Sequence, residues 1–221
     1  MSFKINNDKI ESGKFSADEI NFLKSLKTPE GIQSFLNETN YNPDYITCSP
    51  KKIIYSRTAN CFEGALFAAA ALRVLGHKPL IVDLIAHNDD DHVIALFKQN
   101  NCYGAAAKSN TTTLRFREPV YRTLRELVMS YFDFYFNTLG EKSLRSYSVP
   151  VNLSRFDKYN WMTTDEDLGY IGDFLFTIKH YPILTKKMIR ELSGADKEVV
   201  KLCFAGSIEK GLFQPKKKTR S

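Results

Sequence analysis

The chain has 221 residues, 43% hydrophobic and 13% aromatic, with a formal net charge of +6. That is enough apolar material for one large domain or two small ones, and it excludes disorder as a global description. The longest charge-free apolar stretch, residues 64–72, is nine residues, against roughly 18 or more for a bilayer-spanning helix, so no membrane partner is expected.

The first fifteen residues carry no apolar h-region, so no secretory leader is expected. Ser16 and Glu19 have capping-box spacing and open a first helix with Ile20, Phe22, Leu23 and Leu26 as its apolar side. Thr28-Pro29-Glu30 starts a second helix, with Ile32, Phe35 and Leu36 as its buried stripe. Residues 38–57 are polar and turn-rich and read as a long surface segment, with a turn at Asn42-Pro43-Asp44.

The next helix begins at Asn60, an N-cap residue with Glu63 as its capping-box partner, and stops at Gly76 with Pro79 beyond. It is apolar on almost every side and must be wrapped by its neighbours. Three β-like runs follow, over residues 80–86, 92–97 and 102–107, with a tight turn at Asn100-Asn101. They suggest an antiparallel meander against the buried helix. Residues 109–119 read as a loop, and Pro119 as the start of a long aromatic-rich helix running to Phe136. Beyond Ser143 an extended run covers residues 149–153. Helical patterns then follow around Leu168–Ile178 and over residues 185–192 and 195–204. The expected organisation is an α+β core over residues 1–150 and a helical C-terminal extension, residues 151–221, packed on it.

Four cysteines, at 48, 61, 102 and 203, show neither zinc-finger nor CxxC spacing and read as reduced thiols of a cytoplasmic protein. The tail, residues 214–221, holds four positive charges and reads as a solvated, frayed end. The body is nearly balanced, so there is no electrostatic footprint for nucleic acid.

Cys61 stands out because it sits in the first turn of the buried helix. Free N–H groups and the helix dipole favour a thiolate there, and the same groups suit the oxyanion of an attacked carbonyl. A plain buried cysteine is the alternative. A thiol nucleophile also needs a base. His77 lies at the far end of the helix and His180 in an unrelated region. His92 opens a strand expected against the helix, with His87 the second choice. The run from His87 to His92 lacks an established metal-ligand spacing, so no metal is expected. Arg115, Arg117 and Glu118 read as a local ion-pair group.

The stretches NCFEGALFAAAALRVLGHKPLIVDL and DDHVIALFKQNNCYGAAAKSN together resemble the transglutaminase-like superfamily of papain-like cysteine enzymes. The resemblance covers roughly residues 55–110: cysteine at a helix start, glycine turn, strand, strand opened by histidine, hairpin. It implies a papain-like core of a small antiparallel sheet on a buried helix. It further implies Cys61 as nucleophile and His92 as general base and acid. The family's aspartate on the return strand is absent, since Gly104-Ala105-Ala106-Ala107 follows Tyr103. Asn110 is the expected orienting group for the imidazole, with Ser109 or one of Asp89–Asp91 behind it. The expected chemistry is thiol-dependent acyl transfer on a peptide, protein or small amide, by hydrolysis or transamidation, with no cofactor. The alternative is a catalytically silent member of the same fold acting as a binding or scaffold module.

Overall fold

The computed structural model describes residues 14–43 and 46–216. The leader reading of residues 1–13, Asp44 of the expected turn, and the basic tail beyond residue 216 lie outside the described residues.

The described helices are α1 (Ala17–Ser25), α2 (Pro29–Glu38), α3 (Pro50–Ser56), α4 (Cys61–Val74), α5 (Leu124–Phe132), α6 (Gly169–Thr177), α7 (Lys186–Glu191) and α8 (Lys197–Cys203). The described strands are β1 (Asn40–Tyr41), β2 (Thr58–Ala59), β3 (Leu80–Ala86), β4 (His92–Gln99), β5 (Cys102–Ala106), β6 (Arg117–Tyr121), β7 (Leu144–Ser148), β8 (Val151–Asn152) and β9 (His180–Pro182). The fold is mixed α and β. β1 and β2 form a small parallel pair. The rest form an antiparallel sheet in the order β6-β5-β4-β3-β7-β9, with β8 also on β3.

Strand alternation sorts side chains into two cores, as the two-residue period requires. Ile81, Val93, Ala95, Phe97 and Ala106 face one cluster, which contains α4 and the apolar sides of α1, α2 and α3. Val82, Leu84, Ile94, Leu96 and Ala105 face the other, which contains Leu127, Val128 and Tyr131 of α5. The sheet is thus covered on both faces. The Asn100-Asn101 turn between β4 and β5 has both residues at positive φ, 51° and 61°. That is the backbone a two-residue hairpin of this kind needs. Among the described residues, no helix is long and apolar enough to cross a membrane.

Residues 38–57 differ from the surface segment expected. They contain α3, whose Ile53 and Ile54 are buried, and they end beside the β1–β2 pair. The helix expected from Pro119 is also corrected. Residues 117–121 form an edge strand, where a proline's missing N–H costs no ladder bond. α5 begins only at Leu124, because Thr123 and Glu126 make a full capping box. The C-terminal region is not purely helical: β8 and β9 join the sheet, and α6 packs Ile171 and Leu175 into the first core.

Gly64 fixes how closely α4 approaches the end of β5. A Cβ on Gly64 would run into the Cβ of Lys108 just past that strand. Lys108 cannot simply step aside. Its ammonium is buried and bonded to the carbonyls of Leu36 and Thr39 at the end of α2. Gly64→Ala is therefore expected to destabilise the protein by about 1–3 kcal/mol through overpacking. The check is urea unfolding, where a midpoint equal to wild type would contradict this close approach.

Candidate active site at the start of α4

α4 opens with its capping groups fully made. Asn60 Oδ1 accepts the Glu63 N–H at 2.9 Å, and the Glu63 carboxylate accepts the Asn60 N–H at 2.8 Å. Glu63 is buried and also accepts from the Cys48 N–H at 2.8 Å and from Asn42 Nδ2 at 3.1 Å. Four hydrogen-bonding groups thus fix the direction in which the helix starts. The N–H groups of Cys61, Phe62 and Val93 favour the thiolate form of the Cys61 sulfur.

Cys61 and His92 line one cavity of about 60 Å³, together with Asn110, Leu114 and Tyr135. The Cys61 thiol sits 3.9 Å from the carbonyl oxygen of Asp91, the residue immediately before His92. Topology brings them together. β4 runs against α4, so its first residue comes to lie beside the helix's first turn. His77 instead packs on Phe97, His180 bonds Asp83 at 3.2 Å, and His87 lines a separate depression with Glu141 and Arg145.

The orienting group differs from the expectation. His92 Nε2 lies 2.8 Å from the carbonyl oxygen of Leu114. A carbonyl only accepts, so Nε2 carries the proton and Nδ1 is the basic nitrogen. Asn110 does not orient the ring. Its Nδ2 donates to the Ile208 carbonyl at 2.9 Å and its Oδ1 accepts the Ile208 N–H at 2.8 Å. Ser109 bonds Thr111, Asp89 accepts from Ser143 and Asp91 accepts from the Ala86 N–H, and the hydrogen bond of the His92 ring goes to Leu114 O and to none of Ser109, Asp89, Asp90 or Asp91. A main-chain oxygen has no side-chain signature, which is why sequence reasoning missed it.

The groups that hold Leu114 in place carry a partial signal. Arg117 does not join an ion-pair trio. It donates to the carbonyls of Thr113, Phe116 and Ser130 and stacks 3.8 Å over the Tyr131 ring. It thereby ties the Leu114 turn to α5. Tyr131 and Tyr135 flank the His92 ring edgewise, each at 6.4 Å between centroids, and the Tyr135 hydroxyl donates to Asp90 O at 2.7 Å. Of the aromatic run, Tyr135 therefore lines the cavity and Tyr131 packs beside the imidazole.

Electrostatics keep both partners neutral. Burial, helped by the charge of Asp90, pushes the Cys61 thiol up to about 12 against the pull of the three N–H groups. Burial likewise pushes His92 down to about 4, with Arg117 adding to the effect and the Leu114 carbonyl opposing it. Asp89 is raised to about 6 by burial. Among the described residues, no group of three His, Cys, Asp or Glu side chains is placed to hold a metal ion.

His92 is the clearest observable. A histidine whose pKa falls on folding contributes stability above its unfolded value near 6.5, which is lost as pH falls through about 4. Nitrogen-15 NMR is expected to show His92 as a neutral imidazole protonated on Nε2 down to about pH 4. A ring that titrates near 6.5, or one protonated on Nδ1, would contradict the Leu114 contact.

No family model matches the chain, and no curated protein matches it.

Proposed function

We propose that the chain is a thiol-dependent acyl-transfer enzyme of the papain-like, transglutaminase-like kind, acting on a peptide or carboxamide. One observation carries the reading. Cys61 at a helix N-terminus and a histidine with its basic Nδ1 unprotonated share a single small cavity. In the first step Cys61 Sγ bonds to the substrate carbonyl carbon while the thiol proton passes to His92 Nδ1. The negative oxygen is received by the N–H groups at the start of α4. The C–N bond then breaks, and Nδ1–H gives its proton to the leaving amine. Water attacks the thioester with Nδ1 taking its proton, which releases the acid and restores the thiol. An amine in place of water gives transamidation, and an aqueous setting favours hydrolysis. Leu114 O supports the imidazolium in place of the missing aspartate. All four cysteines are unpaired, which suits a reducing, cytoplasmic setting.

A second reading is supported by the neutral state of both groups. A silent binding module on the same framework would keep the geometry without turnover. A cysteine-directed peptide electrophile separates the two. An enzyme is expected to form the adduct on Cys61, and His92→Ala to slow it by roughly 100-fold or more, the usual contribution of a positioned base. Mass spectrometry of the intact protein gives the rates. Equal rates in wild type and His92→Ala would remove the enzyme reading.

A further inference from the structure

The residues that cover Cys61 come from the C-terminal end of the chain. Gly211, Leu212 and Phe213 line the small inner cavity with Cys61 and His92. The same three residues line a larger outer depression of about 580 Å³, which is also bounded by Cys61, Phe62 and Tyr41. Cys61 is half-buried and lines both spaces, and residues 211–213 form a border that the two spaces share. They are partly buried, whereas residues 208–210 just before them are exposed.

Both ends of this segment are held in the same way. Asn110 bonds the N–H and the carbonyl of Ile208, at 2.8 and 2.9 Å. Asn88 bonds the N–H and the carbonyl of Lys216, at 2.8 and 3.1 Å. Each primary amide has one acceptor and a donor pair, so it matches the main chain of a single residue and ignores that residue's side chain. Asn88 is itself set in place. Its backbone is left-handed, φ 55°, and its carbonyl accepts from Asn137 Nδ2 at 3.1 Å. The Ser207 hydroxyl adds a bond to Asn110 O at 3.0 Å. Where the segment passes Tyr41 it carries glycine. A Cβ on Gly211 would stand 2.6 Å from the Tyr41 ring.

We infer that Asn88 and Asn110 are two main-chain clamps of a peptide-binding groove across Cys61, and that residues 207–216 occupy this groove as an autoinhibitory strap. A substrate reaches Cys61 by displacing the strap and using the same clamps, so the substrate class is a peptide that turns between the clamps, as Glu209–Gly211 does, and carries an apolar side chain near the cavity. This rests on the proposed function for what the groove serves. The strap itself rests only on the contacts just described. Of the tail expected over residues 214–221, the described part is residues 214–216, and there Lys216 is held by Asn88.

The test uses full-length protein and iodoacetamide, with adducts on Cys61 and Cys102 followed by mass spectrometry. Asn88→Ala/Asn110→Ala removes the clamps, and Gly211→Val pushes the strap against Tyr41 with the clamps intact. Both are expected to raise the Cys61 rate by roughly tenfold or more, through a larger population of open molecules, with Cys102 unchanged. A synthetic peptide of residues 207–216 is expected to slow Cys61 labelling again in Gly211→Val but not in the clamp variant. Cys61 rates within about twofold of wild type in both variants, or protection by the peptide in both, would overturn the strap. If a variant labels throughout and has therefore not folded, wild-type protein decides. A bulky maleimide on Cys61 is expected to speed hydrogen exchange across residues 207–216, and unchanged exchange there would overturn the inference. A His92-dependent Cys61 with no strap effect removes the strap alone. A strap effect without dependence on His92 removes the enzyme reading alone.

Discussion

A helix without a polar face forces the rest of this structure. Every residue of α4 from Glu63 to Leu72 is buried. Such a segment gains its stability only if neighbours enclose it on all sides. α1, α2 and α3 close one side and β4 the other. The end of the helix cannot be closed with apolar groups, because its first N–H groups need partners. Asn60 and the buried carboxylate of Glu63 answer part of that need. The N–H groups of Cys61 and Phe62 remain, and they favour a thiolate at the Cys61 sulfur. The site therefore arises where complete burial and complete hydrogen bonding compete for the same turn.

Much of this was legible in the sequence because it depends on local rules. The capping boxes at Ser16, Asn60 and Thr123 are all made, and the first two match the sequence reading. The apolar helix, its glycine end at Gly76 and the Asn100-Asn101 hairpin follow from residue type and spacing alone. The reading failed where one residue type serves two structures. Pro119 suits the first turn of a helix and an edge strand equally, and the outcome was decided four residues later by Thr123. β9 pairs with β7 more than thirty residues away, and no spacing rule reaches that far.

At the site the same division holds. That Cys61 and His92 line one cavity is legible because a cysteine in a helix's first turn and a histidine opening the next meander strand have positional meaning. Asn110 was chosen for its chemistry, and that chemistry is present but directed elsewhere: an amide able to orient an imidazole is equally able to grip a peptide. The ring is held by Leu114 O, and any residue at position 114 would supply that oxygen. Sequence can name side chains, but here the third contact is main chain.

The protonation state of the pair follows from what covers it. Desolvation is the first cause of both shifts, upward for Cys61 and downward for His92. The local charges reinforce it. Asp90 disfavours a thiolate and Arg117 disfavours an imidazolium, so the cavity holds a thiol and a neutral ring. Leu212 and Phe213 are part of the apolar cover of that cavity. Any opening that admits water or a polar carbonyl lowers the desolvation cost of both charged forms, and so moves the two pKa values toward each other. A segment that blocks access to the sulfur thereby also keeps it protonated. On this reading exclusion of substrate and suppression of the nucleophile are one effect of one contact, and the closed molecule needs no separate switch to remain inactive.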